Sequence, residues 1–549
     1  MSPMRLLLLS LLLLAPAGAH SEAEPVRVFI FAGQSNMVGA DSKVADVDRY
    51  APFVGWAEAQ EDVRFSYALG RETKKRSDGW VDLAPIDGMV GPELSFARAV
   101  KERTGAPVAI IKVAAGGTHL GGDWNPDEPQ GFELYPLLVR TVRESLALLD
   151  EKRVGYRLEA LVWHQGENDM FEDAYRDVYG ANLENFLARL RADLGAPELP
   201  AFVGELCTKT IWGMDNRGRM EAIARGQRSA AAADPRTTYV RTNHIAVEIG
   251  GDDGLHYHYG TLGQLEHGLE HASAYLSSVG LGPEVRPALE RWPLRKGKPV
   301  RLYVLAGHRN MEGERAFAAD LAGLKGGKRL ARDRKDVPFR YSTGGGVHVS
   351  QGWEALGPAG RHGTFGPELS FASTLSRRTR DQIAVAKFTH SGSQILDWTP
   401  EGSDADARDL YPAFLAFVRD SVASLEARGH DVEIAGIVYH LGENDMSFHP
   451  YRRMAAERVA ELVRASRRDL ERPALPWYLS QQAPTKLERL KELDPVKDIA
   501  RFAESDEHTV HLPLEGSPQE RERLVMEAAG VVWLGEWLAE RVAEREAAR

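Results

Sequence analysis

The sequence predicts an α/β fold built twice over: two tandem three-layer α/β/α domains, each around a parallel sheet. Three observations predict it. Short runs rich in β-branched and aromatic residues alternate with longer segments of helical spacing. The runs are apolar on both faces, as expected of parallel strands covered by helices. Finally, whole blocks recur: GPELSFA at 91–97 and 366–372, GENDM at 166–170 and 442–446, Lys112 with Lys387, and Tyr135-Pro136 with Tyr411-Pro412. These paired positions lie 275 or 276 residues apart, a period that means a duplicated domain.

Taken in order, the first copy offers five strands: VRVFIFA (26–32), PVAIIKVA (107–114), LEALVWH (158–164), PAFVGEL (200–206) and TTYVRT (237–242). Segments 92–103, 133–149 and 174–194 have the length and spacing of intervening helices, and 261–276 reads as a closing helix. A first domain over 26–280 and a second over 299–549 follow. The stretch between them, 281–298 (LGPEVRPALERWPLRKGK), has the proline and charge content of a linker. A chain of 549 residues is too long for one ordinary core, which agrees with two.

The amino terminus has the pattern of a secretory signal peptide over 1–19. Arg5 is followed by a run at 6–14 that is leucine at all but one position, and then by Ala17-Gly18-Ala19 as a cleavage site. That run is too short to span a bilayer, and no later stretch is apolar for long enough. The mature chain is therefore expected to be exported, periplasmic or secreted, with no transmembrane segment. A formal net charge of −11 speaks against a nucleic-acid partner, because phosphate binding needs a basic face. The lone cysteine, Cys207, excludes a disulfide within these residues and a cysteine-rich metal site. At the end of an apolar run it is expected to be buried and inert.

In open parallel sheets ligands gather at the carboxyl ends of strands, and four candidate pieces of chemistry sit there. Ser35, after Gly33-Gln34, opens a helical turn; its hydroxyl can attack a carbonyl while its own N–H steadies the oxyanion. By itself such a serine is equally an N-cap. Asp253-Gly254-Leu255-His256 follows the last strand, a spacing that lets a carboxylate orient an imidazole; Asp252 is the adjacent alternative. In WHQGEND (163–169), Gln165 offers an amide and Gly166 allows close backbone approach. In 114–118, Gly116 and Gly117 expose backbone N–H groups, or simply make a tight turn.

Together AGQSNM, the Gly-Gly loop, WHQGE and DGLH resemble the sialate O-acetylesterase-like carbohydrate esterases of the SGNH hydrolase superfamily. The resemblance covers residues 26 to 278 and extends in weakened form across the second copy. It implies a flavodoxin-like sheet, no cofactor, no metal, and an acetylated carbohydrate such as a sialic acid or xylan as substrate. Carried over residue by residue, it puts the nucleophile on Ser35, the general base on His256 and the orienting acid on Asp253. It puts the oxyanion donors on the Ser35 backbone, Gly117 (Gly116 being the neighbouring choice) and the Gln165 side chain. Two other readings stay open on the same scaffold: a lipid or short-chain ester hydrolase, and a carbohydrate-binding protein without turnover.

The second copy is an internal control. Ser35 becomes Arg309, Gln165 becomes Leu441, Gly116 becomes Ser391, and the Asp-x-x-His is gone, with HLPLEGS in its place. Losing one oxyanion donor alone costs about 10²–10³ in rate, so this copy is expected to be a pseudoesterase. It either extends substrate binding, supports the first copy through an interface, or is merely tolerated. Arg309 either holds a substrate carboxylate or pairs with a local acid in the lost pocket. Because GENDM and GPELSFA survive there without the catalytic groups, Glu167, Asp169 and His164 are read as serving the fold.

Overall fold

The run VRVFIFAG forms a strand, β1 (Val26–Gly33), buried along nearly its whole length. Val28, Ile30 and Ala32 enter one hydrophobic cluster, Phe29 and Phe31 another. The period-two alternation of a strand thus serves two cores, one on each side of the sheet. The computed structural model describes residues 24–70, 74–206, 210–211, 214–245, 247, 258–403, 409–447, 449–482, 495–514, 516 and 524–548. The signal-peptide stretch 1–19, Cys207, Asp252, Asp253 and His256 lie outside the described residues.

Beside β1 stand β2 (Gln60–Leu69), β3 (Val108–Ala114), β4 (Tyr156–His164), β5 (Ala201–Gly204) and β6 (Thr237–Val240). Their order is β6-β5-β4-β1-β3-β2, all parallel. Helices α1 (Glu93–Thr104) and α5 (Gly260–Ser278) cover the Phe29 side. On the Val28 side lie α2 (Leu134–Glu151), α3 (Tyr179–Asp193) and α4 (Arg217–Ala233). This is the three-layer α/β/α domain that the sequence predicts. The strand it did not predict is β2, whose residues QEDVRFSYAL mix charge with apolar side chains. It sits beyond β3 with two short antiparallel strands, Lys75–Arg76 and Val81–Leu83, along its other side.

The second domain repeats the plan with β7 (Val300–Gly307), β8 (Arg334–Thr343), β9 (Gln382–Thr389), β10 (Val432–His440), β11 (Trp477–Gln481) and β12 (Thr509–Pro513). The order β12-β11-β10-β7-β9-β8 is the same. Its helices are α6 (Glu368–Arg378), α7 (Leu410–Glu426), α8 (His449–Asp469), α9 (Pro495–Glu504) and α10 (Ala528–Ala547). Stretch 281–298 has no regular element and lies along this domain: Leu289 N–H donates to Trp353 O, and Leu294 joins the second core.

The duplicated blocks have a physical reason. Lys112, fully buried in β3, donates to Glu93 of GPELSFA at 2.6 Å, and Lys387 donates to Glu368 at 2.9 Å. Burial lowers the Lys112 pKa, and Glu93 opposes it. Removing one partner of such a pair would leave a buried charge alone, which is strongly destabilising. Among the described residues no helix is long and apolar enough to cross a membrane.

Candidate active site

β1 ends at Gly33, and the turn Ser35–Val38 starts at once. The chain can bend there only because residue 33 is glycine: with φ at 155°, a Cβ would lie 2.0 Å from His164 O. Gln34 then locks the turn to the end of β4. Its N–H donates to His164 O at 3.1 Å, and its Oε1 accepts from Gly166 N at 3.2 Å and from Gln165 Nε2 at 3.1 Å. Ser35 is left half-buried at the carboxyl edge of the sheet, as the sequence predicts.

The loop after β3 comes to the same place. Ala115 N–H donates to Gly33 O at 3.1 Å, and a Cβ on Gly116 would stand 3.4 Å from the Ser35 Cβ. Gly117 is half-exposed and takes the left-handed φ of 71° that glycine accepts without strain. Asp169 fixes the far end of this loop by accepting from Leu120 N at 3.0 Å and Gly121 N at 3.3 Å. Burial pushes the Asp169 pKa up to about 6, against the hydrogen bonds from Gln165, Leu120 and Gly121. Ser35, Gly116 and Gly117 are therefore brought together.

Gln165 is placed differently from its expected role. It is fully buried, and its Nε2 donates to Thr118 O at 2.8 Å and Asp169 Oδ2 at 2.6 Å as well as facing Gln34. An amide has two N–H groups, and protein acceptors take both. Gln165 thus ties the serine turn to the Gly-Gly loop. The residue that the sequence reading passed over is Asn168, half-exposed beside the serine turn, where Gln34 Nε2 meets its Oδ1 at 3.4 Å. Its retention as Asn444 in the second copy gives the sequence no sign that sets it apart from a structural residue.

Asn36 carries the turn onward to the start of α5. Its Nδ2 donates to Glu167 Oε1 at 2.7 Å, and its Oδ1 accepts from Tyr259 N at 3.2 Å. Burial pushes the Glu167 pKa up, but His164, 3.4 Å away, and Asn36 outweigh it and hold the group below its ordinary value. Glu167 and Asp169 are both occupied in holding loops, in keeping with a structural reading. Tyr259 stands three residues beyond His256, so the described chain resumes next to the neighbour of Ser35.

The counterpart site in the second domain is closed. Arg309 is fully buried, and its Nε and Nη2 donate to both oxygens of Glu314 at 2.8 and 2.6 Å. It therefore pairs with a local acid rather than facing a ligand. Glu443 accepts from the N–H groups of Arg309 and Asn310 at 3.1 and 3.2 Å, and Glu312 accepts from Ser391 N at 3.1 Å. Asn444 donates to Ser391 O and Ser393 O at 3.1 and 3.0 Å.

A profile of the carbohydrate esterases described as sialic acid-specific acetylesterases matches residues 25–277 and again 299–544. The chain is similar to a probable carbohydrate esterase of Arabidopsis thaliana, 24% identical over 283 residues that make up 47% of this chain and 94% of that one. Among solved structures, a carbohydrate acetylesterase from Xanthomonas citri is 16% identical, over 49% of this chain and 61% of its own, with a TM-score of 0.35. NanS is 15% identical, over 47% and 98%, with a TM-score of 0.35.

Proposed function

We propose, from the premise that this chain belongs to the carbohydrate esterase family of sialic acid-specific acetylesterases, that its first copy removes O-acetyl groups from a carbohydrate through an acyl-enzyme. Ser35 Oγ attacks the acetyl carbonyl while His256, oriented by Asp253, takes the hydroxyl proton. The C–O bond to the sugar breaks as His256 returns that proton to the leaving oxygen. Water, activated by the same imidazole, then releases acetate and restores Ser35. The oxyanion is held by the N–H groups of Ser35 and Gly117 and by the Asn168 amide, with Gln165 as the strut beneath them.

The observation that carries this reading is the contrast around one carboxylate. Glu167 Oε2 makes no hydrogen bond, whereas Glu443 Oε2 accepts from the N–H of Arg309. Among the described residues none takes the N–H of the half-exposed Ser35, where a developing oxyanion can use it. The unit that works is 26–280; the second domain, 299–549, is a pseudoesterase reached through 281–298. The leucine-rich leader supports export of the chain after cleavage near Ala19.

The test is acetate release by purified protein from acetylated sialic acids, acetyl-xylan and acetylated pectin fragments. Release from at least one is expected, declining on the acid side as His256 gains a proton. Ser35→Ala is expected to abolish it; full activity in that variant would refute the assignment. Preference for long-chain over acetyl nitrophenyl esters would favour a lipid substrate instead.

A further inference from the structure

We infer that the second copy is a brace for the first, acting through Glu270 as a positioning residue; the inference rests on the roles proposed above for Asp253 and His256. Those two residues belong to the stretch between Ile245 and His258, and both ends of that stretch are held. Ile245, Val247 and Tyr259 form a small hydrophobic cluster of their own, so the two ends meet. Tyr259 is fastened to the serine turn through Asn36. The other end is fastened to the second domain. Arg241 Nη2 donates to Gly345 O at 3.2 Å, and Gly344 sits so close to His244 that a Cβ there would be 3.2 Å from the His244 Cβ.

Glu270 joins these pieces. It lies on α5, buried, with His244 Nε2 at 3.5 Å on one side. On the other side are Arg361, which donates to both of its oxygens, and His362 Nε2 at 3.0 Å. Arg361 and His362 belong to the second domain. Burial would raise the Glu270 pKa, but Arg361, His244 and His362 hold it well below the ordinary carboxylate range. His362 makes its contact from a left-handed backbone, φ 53°, which a residue with a side chain keeps only where its surroundings hold it. One carboxylate therefore links the second domain, the closing helix of the first and the lead-in to the catalytic stretch. A nucleophile and base displaced by about 1 Å lose on the order of 10² in rate, so such a link acts on turnover rather than on substrate binding.

The experiment uses the full chain, with kinetics on nitrophenyl acetate and hydrogen exchange over 241–259. Arg361→Met is expected to lower kcat by about 10- to 100-fold with KM within about twofold, and to speed exchange in 241–247 by at least about tenfold. Arg361→Lys is expected to recover most of both. The double variant Glu270→Gln/Arg361→Met removes both charges, which proteins tolerate better than a single loss; it is expected to fold and remain slow. Ser35→Ala is expected to leave exchange unchanged. A kcat within twofold of the parent in both Met variants, or unchanged exchange in both, overturns the brace. If the parent hydrolyses no ester, the esterase reading fails by itself, and the exchange measurement alone decides the brace.

Discussion

At the end of β1, Ser35 is half-exposed and no described residue takes its N–H; at the end of β7, Glu443 caps the N–H of Arg309 and Glu314 takes its guanidinium. Three positions of the serine turn differ between the copies. Ser35, Val38 and Ala40 of the first copy stand where the second has Arg309, Glu312 and Glu314. Arg309 and Glu314 satisfy each other, and Glu312 caps the N–H of Ser391. The second site has therefore been rebuilt as polar core, with acceptors already bound where an oxyanion would need donors. On the proposed esterase reading, the second copy lacks the nucleophile and also has its donors filled, which removes the vacancy that the chemistry would occupy.

The largest effect should come from transferring the second copy's residue to the first. Ser35→Arg is expected to reduce acetate release by more than about 10³-fold, and with Ala40 in place of an acid it also leaves the cation without its partner. A variant retaining a tenth of the activity would break the comparison. Next, Arg309→Ser takes the nearer of two cations from the buried Glu314, leaving Arg315 at 3.7 Å, and is expected to cost up to about 3–5 kcal/mol in stability, measured by urea unfolding of the full chain, without creating activity in a Ser35→Ala background. Adding Glu314→Ala should recover most of that loss.

Gln165→Leu installs the residue found at 441. It deprives Thr118 O, Asp169 and Gln34 of a donor, and is expected to cost about 1–3 kcal/mol and roughly tenfold or more in kcat. An unchanged kcat would show that the strut does not set the Gly-Gly loop. The smallest effect concerns Asp169. Its pKa is raised to about 6, so the folded state holds the proton more tightly than the unfolded chain does. The stability this contributes is fully present below the ordinary carboxylate pKa and is lost as pH rises through about 6. Relative to Asp169→Asn, which cannot titrate, the parent should lose a few degrees of Tm between pH 4 and 7. A constant difference would contradict this.

Much of the fold was legible because it rests on runs and repeats. The five apolar strands and three of the helices between them follow from periodicity, whereas α4 (Arg217–Ala233) and the Lys112–Glu93 pair inside the repeated blocks did not stand out. The strand β2 was not legible, since QEDVRFSYAL mixes charge with apolar side chains and so does not read as a buried run. At the site, Ser35 and the glycines stood out because strand ends concentrate chemistry. The true setting of Gln165 did not, since which acceptor an amide faces depends on loops far apart in sequence. Asn168 shows a further limit: a residue kept in both copies was read as structural, yet the same side chain is half-exposed in one and tied to two carbonyls in the other.

The Arg309–Glu314 pair also gives the duplication a direction in time. To regain a serine at 309, the chain must first pass through a state in which the buried Glu314 loses its nearer cation and keeps Arg315 at 3.7 Å, or through an Arg309 without Glu314 if that residue changes first. Glu312 would still cap the loop after either step. Either first step therefore costs stability. The second domain is held in its present role by a ratchet of a few buried charges, whatever selection now asks of it.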